Sequence, residues 1–139
     1  MASAADFVGA WRLVSQEWRA PDGGLAHPWG ASPVGYLLYT PDGYVSAAVM
    51  REDHVSAPAP DSGSEEVDAL SHVSYCGPYE VRGDRVVHHV RVSSYRSWVG
   101  TAQERRYVLA DNRLTLISPP RTVARVEYQP VLVWERARP

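Results

Sequence analysis

Residues 34–50 read Val34-Gly35-Tyr36-Leu37-Leu38-Tyr39-Thr40-Pro41-Asp42-Gly43-Tyr44-Val45-Ser46-Ala47-Ala48-Val49-Met50. Two runs rich in aromatic and β-branched residues flank Pro-Asp-Gly, where the proline presets one turn angle and the glycine tolerates positive φ. Such a stretch closes an antiparallel hairpin. Similar punctuation recurs at Pro21-Asp22-Gly23-Gly24, Arg82-Gly83-Asp84 and Asp111-Asn112-Arg113. Working outward from these turns, strands are expected at about 8–19, 34–40, 44–50, 73–82, 85–94, 101–110, 113–118 and 126–137. The fold class is therefore all-β. Eight antiparallel strands suffice to close a barrel around one small ligand. With no internal repeat and no linker, residues 1–139 are expected to form a single domain.

One segment breaks the alternation. Residues 51–64 are rich in Pro, Ala, Ser and Asp and read as a loop. Acids follow at Glu65, Glu66 and Asp68, behind Ser62 or Ser64 as N-cap, which predicts a short helix near 65–72. A long connection in a tight barrel often covers the open mouth.

Composition narrows the function classes. Fourteen basic and sixteen acidic residues give a net charge of −2, which argues against a nucleic-acid binder. No apolar run approaches the ~20 residues that span a bilayer, so no membrane partner is expected. A single cysteine, Cys76, excludes an internal disulfide and a cysteine-built zinc site. With no basic, apolar leader at the N-terminus, a cytoplasmic location is the simplest expectation. All fourteen basic residues are arginine, so Schiff-base chemistry on a lysine is excluded. Eight Tyr and five Trp stand against one Phe. Such rings suit walls that are both apolar and hydrogen-bonding, though strands favour them in any case.

A resemblance becomes visible at the two ends of the chain. Gly9-Ala10-Trp11-Arg12-Leu13 is a G-x-W motif, and Leu132-Val133-Trp134-Glu135-Arg136 closes the last strand. The pair resembles the calycin superfamily, which implies that Trp11 plugs the closed end of the barrel under a guanidinium from Arg136. His27-Pro28-Trp29-Gly30, the 33–44 stretch, Tyr75-Cys76-Gly77-Pro78-Tyr79, Val87-His88-His89-Val90 and Trp98-Val99-Gly100-Thr101 look like the bacterial and fungal lipocalin-like domain family. This likeness runs from Phe7 to Arg136. It implies a lipocalin-like barrel, and some members resemble accessory proteins of polyketide or other secondary-metabolite pathways; related small barrels include both passive ligand carriers and cyclases.

Strand parity selects the candidate site, because alternate residues face the interior. His88 shares a face with Val86, Val90 and Val92, so it is the inward histidine. It is either a proton-transfer group or a core histidine satisfied by a neighbour. On the next strand Gln103, Arg105 and Tyr107 share the inward face, where Gln103 and Arg105 could polarise a carbonyl or hold a carboxylate. An inward Arg needs a counter-charge. Counting from Trp11 through Leu13 and Ser15 places Glu17 inside, so an Arg105–Glu17 pair would be a structural bridge or an acid–base unit. Tyr75 and Tyr79 share parity and rank first among the tyrosines, while parity over 34–50 leaves Tyr39 open.

The candidate catalytic residues are accordingly His88, Arg105 and Glu17, and the ligand contacts are Gln103, Tyr75, Tyr79, Tyr39, Trp98 and Tyr107. No nucleophilic elbow, phosphate loop or metal-ligand spacing is present in the sequence, so no cofactor or metal is expected. The leading expectation is a cofactor-independent cyclase or isomerase acting on a hydrophobic, polyketide-type intermediate held in the barrel. A carrier of the same kind of molecule is the alternative, and a barrel filled by its own side chains is a third. Exposed faces with Arg12, Gln16 and Trp18 could support a homodimer.

Overall fold

The alternation read from the sequence becomes a ring of strands. The structure, a computed structural model, describes residues 2–52, 72–123 and 125–138. A short helix, α1 (Ala4–Phe7), leads into β1 (Gly9–Arg19), β2 (Leu25–Ala26), β3 (Val34–Tyr39), β4 (Tyr44–Met50) and β5 (His72–Arg82). There follow β6 (Arg85–His89), β7 (Val92–Ser93), a 3-10 turn (Arg96–Trp98), β8 (Ala102–Ala110), β9 (Arg113–Ile117), β10 (Arg121–Val123) and β11 (Val126–Arg136). Neighbours pair antiparallel in the order β11-β9-β8-β6-β5-β4-β3-β1, and β1 pairs back onto β11. The result is a closed eight-stranded antiparallel β-barrel, with β2, β7 and β10 as short extras.

Two expectations need adjustment. The strand expected at 85–94 divides into β6 and β7, and past the break Val92 is exposed instead of sharing the interior with His88. At the break the β6 backbone crosses hard against β5, and Gly77 makes room for it. A Cβ on Gly77 would lie 1.8 Å from the His89 carbonyl oxygen. The helix expected at 65–72 lies outside the described residues except for His72, which begins β5. Most of the 51–64 loop lies outside them as well.

The closed end is built from the chain's first residues. Phe7 is fully buried, and its ring meets Tyr39 edge-on at 5.4 Å and Tyr107 at 4.9 Å. The Trp11 indole donates to the Phe7 carbonyl at 2.9 Å, which ties the plug to β1. Arg136 stacks 4.2 Å over the Trp11 ring and donates to the Val8 and Asp6 carbonyls at 3.0 and 2.8 Å. Both carbonyls lie outside the strands, and the guanidinium fork ties them to the last strand at the half-buried closed end. Tyr79 and Tyr107 add their hydroxyls to the same end, Tyr79 towards the Ala4 and Thr40 carbonyls and Tyr107 onto Gly83 at 2.6 Å.

Among the described residues no helix is long and apolar enough to cross a membrane.

Two substitutions test this construction. Phe7→Ala removes the plug and should lower unfolding stability by about 3–5 kcal/mol in urea titration. Gly77→Ala should prevent folding at ordinary temperature, read as loss of near-ultraviolet circular dichroism, because the crossing backbone has no flexible side chain to move aside.

Candidate functional site

Above the plug the barrel is hollow. A cavity of about 610 Å3 opens at the far end, within the range that holds drug-sized ligands. Four of the five tryptophans, Trp18, Trp29, Trp98 and Trp134, line it. Leu37, Ala47 and Val49 supply an apolar wall from β3 and β4, and Pro28, Pro119 and Pro120 stiffen the rim. The polar residues on the wall are Tyr75 from β5, Gln103, Glu104 and Arg105 from β8, Arg121 from β10, Gln16 from β1, and Tyr95 and Ser118.

Gln16 reaches the cavity because β1 carries a bulge. Leu13 opposes Trp134 but Ser15 opposes Val133, so Val14 is an extra residue and facing changes parity behind it. Trp11 and Leu13 face inward as expected, and then Gln16 and Trp18 do. Glu17 is turned to the outside. Its carboxylate accepts from Arg19 at 2.6–2.8 Å and makes no pair with Arg105. The same shift removes Gln16 and Trp18 from the outer face considered for a homodimer. Trp18 packs against Tyr128 at 5.9 Å, and Arg12 pairs with Glu135.

His88 faces inward from β6, and it is sealed from solvent with 0% exposure. It does not line the cavity. Tyr39 Oη lies 2.7 Å from its Nε2, and Tyr75 Oη lies 2.7 Å from its Nδ1. Burial is the main reason that its pKa falls from 6.5 to about 3, with the Arg105 and His89 charges adding to the shift. The ring is therefore neutral, with one N–H to donate and one lone pair to accept.

Its tautomer follows from its neighbours. Tyr39 is buried and has no other hydrogen-bond acceptor among the described residues, so its proton goes to Nε2. The opposite polarity would strand a buried hydroxyl at a cost of about 1–3 kcal/mol. Nδ1 then carries the proton and donates to Tyr75, leaving the Tyr75 O–H free to point into the cavity. Burial raises the Tyr75 pKa, so this hydroxyl stays protonated near neutrality.

Arg105 stands beside it. Its guanidinium donates to the Glu104 carbonyl at 3.2 Å and makes only long contacts, 3.4 Å, to the Gln103 side-chain oxygen. The Glu104 carboxylate goes to Arg85. Burial pulls the Arg105 pKa down, and Arg121 pushes in the same direction. Trp98 organises this end: Tyr75 packs on its ring at 5.5 Å, while Arg105 and Arg121 sit 6.0 and 5.7 Å from its centre.

Of the nine residues singled out from the sequence, Arg105, Gln103, Tyr75 and Trp98 converge on the cavity. His88 stands one bond behind Tyr75. Tyr39, Tyr79 and Tyr107 belong to the closed end, packed around Phe7 or bonded to the carbonyls of the plug. They do not line the cavity. Gln16, Trp18, Trp29 and Arg121 were missed. Pro119-Pro120 was the available signal for Arg121, since a rigid pair fixes where the next side chain stands.

A profile of the lipocalin-like domain matches residues 8–137. The chain belongs to the lipocalin-like domain family. A lipocalin-like protein from Bacteroides uniformis has a similar fold, with a TM-score of 0.52 at 14% identity over 95% of this chain and 99% of that one. An uncharacterized protein from Bacteroides eggerthii aligns over 94% of this chain and 99% of its own, at 16% identity and a TM-score of 0.47. No curated protein matches the chain. The lipocalin-like barrel thus agrees with the expected family and fold class, and such a barrel with an open cavity suits binding of a small hydrophobic ligand.

The sealed imidazole has a measurable consequence. Unfolded chains take up the His88 proton near pH 6.5, whereas the folded protein does so only near pH 3. Its contribution is fully present above pH 6.5 and is lost as pH falls through that window, at up to about 1.4 kcal/mol per pH unit. Wild type should lose roughly 2 kcal/mol more than His88→Asn between about pH 7.5 and pH 5 in urea unfolding. Nitrogen-15 NMR should show one neutral, Nδ1-protonated ring throughout.

Proposed function

We propose that the barrel takes up a small, largely apolar molecule carrying an oxygen function, and sets that oxygen against Tyr75 and Arg105. What supports this is the gathering of donors, Tyr75, Arg105 and Arg121, around the Trp98 ring on the cavity wall. Tyr75 O–H and the Arg105 guanidinium can only donate there, so they suit a carbonyl or a more negative oxygen. The filled-barrel alternative finds no support beside a cavity of about 610 Å3.

A cyclase or isomerase acting on a polyketide-type intermediate is the finer reading, and the direction of the Tyr75 proton favours it. Enclosing a flexible substrate raises its effective concentration, and two fixed donors stabilise charge developing on an enolate oxygen. His88 is a positioning residue in this scheme: by donating to Tyr75 it fixes the hydroxyl as a donor to substrate. It is not the base. With a pKa of about 3 and no contact with the cavity, it cannot take a proton from substrate directly. The substrate must then carry a C–H acidic enough to give up its proton to solvent water at the open mouth of the cavity. Carriage without conversion is the coarser outcome of the same site.

A neutral fluorescent ketone, prodan, tests the binding step. Its emission should shift to the blue on mixing with wild type. Tyr75→Phe should weaken binding about three- to tenfold, the value of one hydrogen bond. Ala47→Trp, which fills the cavity from β4, should abolish it while the circular dichroism is unchanged. Equal binding to wild type and Ala47→Trp would place the site elsewhere. Conversion of an added substrate, lost in Arg105→Gln, separates the enzyme from the carrier.

A further inference from the structure

The wall of the cavity holds more positive charge than its own residues neutralise. Arg105 and Arg121 both stand at the Trp98 ring, at 6.0 and 5.7 Å from its centre, and both line the cavity. Among the described residues neither has a carboxylate within ion-pair distance. The nearby acids are committed elsewhere, Glu104 to Arg85 and Glu17 to Arg19. Two guanidiniums at one aromatic ring repel each other, and the Arg121 charge at the exposed rim acts on Arg105 in the wall. Natural sites keep such a pair where a ligand brings the opposite charge.

One further donor points the same way: Tyr75 lines the cavity and offers the proton that the His88 tautomer leaves free. Planar walls from Trp18, Trp29 and Trp98 select the body of the ligand, because aromatic faces pack best on flat rings.

We propose that the ligand is a planar aromatic or polyunsaturated monoanion, with a carboxylate or acidic enolate between Arg105 and Arg121 and its ring system against the indoles. This rests on the cavity-binding reading above and adds the charge. The guanidinium fork fits a two-oxygen anion.

Isothermal titration with a matched pair, 2-naphthylacetate and 2-naphthylacetamide, tests it. The two share size and shape and differ in charge. Wild type should prefer the acid by about tenfold or more, the value of a charge-assisted bond in a buried site. Arg105→Gln should erase most of that preference while still binding the amide. Arg121→Gln, at the more exposed rim, should reduce it in part and guards against a folding defect in the first variant. Equal affinity of acid and amide for wild type would overturn the anion and leave the cavity-binding reading standing. Binding of neither, at millimolar probe and with prodan also excluded, would overturn both. An acid preference that survives intact in both arginine variants would place the anion elsewhere and overturn the assignment.

Discussion

His88 has one proton to give and one lone pair to offer, and hydroxyls at 2.7 Å on either side take up both. The interior depends on this exchange. Below the imidazole, Tyr39 joins Phe7 and Tyr79 in a packed aromatic floor. Above it, Tyr75 belongs to the cavity wall. A histidine that charged on folding would need a counter-ion inside the barrel. A leucine in its place would strand the Tyr39 hydroxyl. Neutral imidazole is the side chain that passes a hydrogen bond through an apolar layer without carrying charge there.

The closed end and the cavity end use arginine in opposite ways. Arg136 spends its donors on the Val8 and Asp6 carbonyls and its face on Trp11, so its role is architectural. Arg105 and Arg121 keep their donors largely free at Trp98. The chain as a whole carries −2, so the cavity is a local positive focus on a mildly acidic protein. Chains without lysine lean on arginine for both tasks, and the rigid fork serves each.

Much of this was legible in the sequence because turns and alternation are local properties. Pro41-Asp42-Gly43 placed its hairpin, the inward facing of His88 followed from its valine neighbours, and Gln103, Arg105 and Tyr107 share the less exposed face of β8. The family followed from motifs spread along the chain. What stayed hidden was set by contacts between distant strands. The bulge at Val14 answers to the register of β11, and nothing in Leu13-Val14-Ser15 announces it. Glu17 was therefore read on the wrong face, with Gln16 and Trp18. The split between β6 and β7 likewise reflects the crossing over Gly77. Parity over 34–50 was ambiguous because the outer face is itself apolar: Val34, Tyr36 and Leu38 are exposed, while Leu37 and Tyr39 are buried.

The extra residue in β1 reaches beyond this chain. An acid six positions after the G-x-W tryptophan lies outside the barrel here only because Val14 is looped out of register. A relative with the same spacing and an unbulged strand would carry that acid inside the barrel. Its cavity would be neutralised from within and would suit an uncharged guest. Two sequences could thus align without a gap at this strand and still hold ligands of different charge, so inferring specificity across the family requires the strand register as well as the residues.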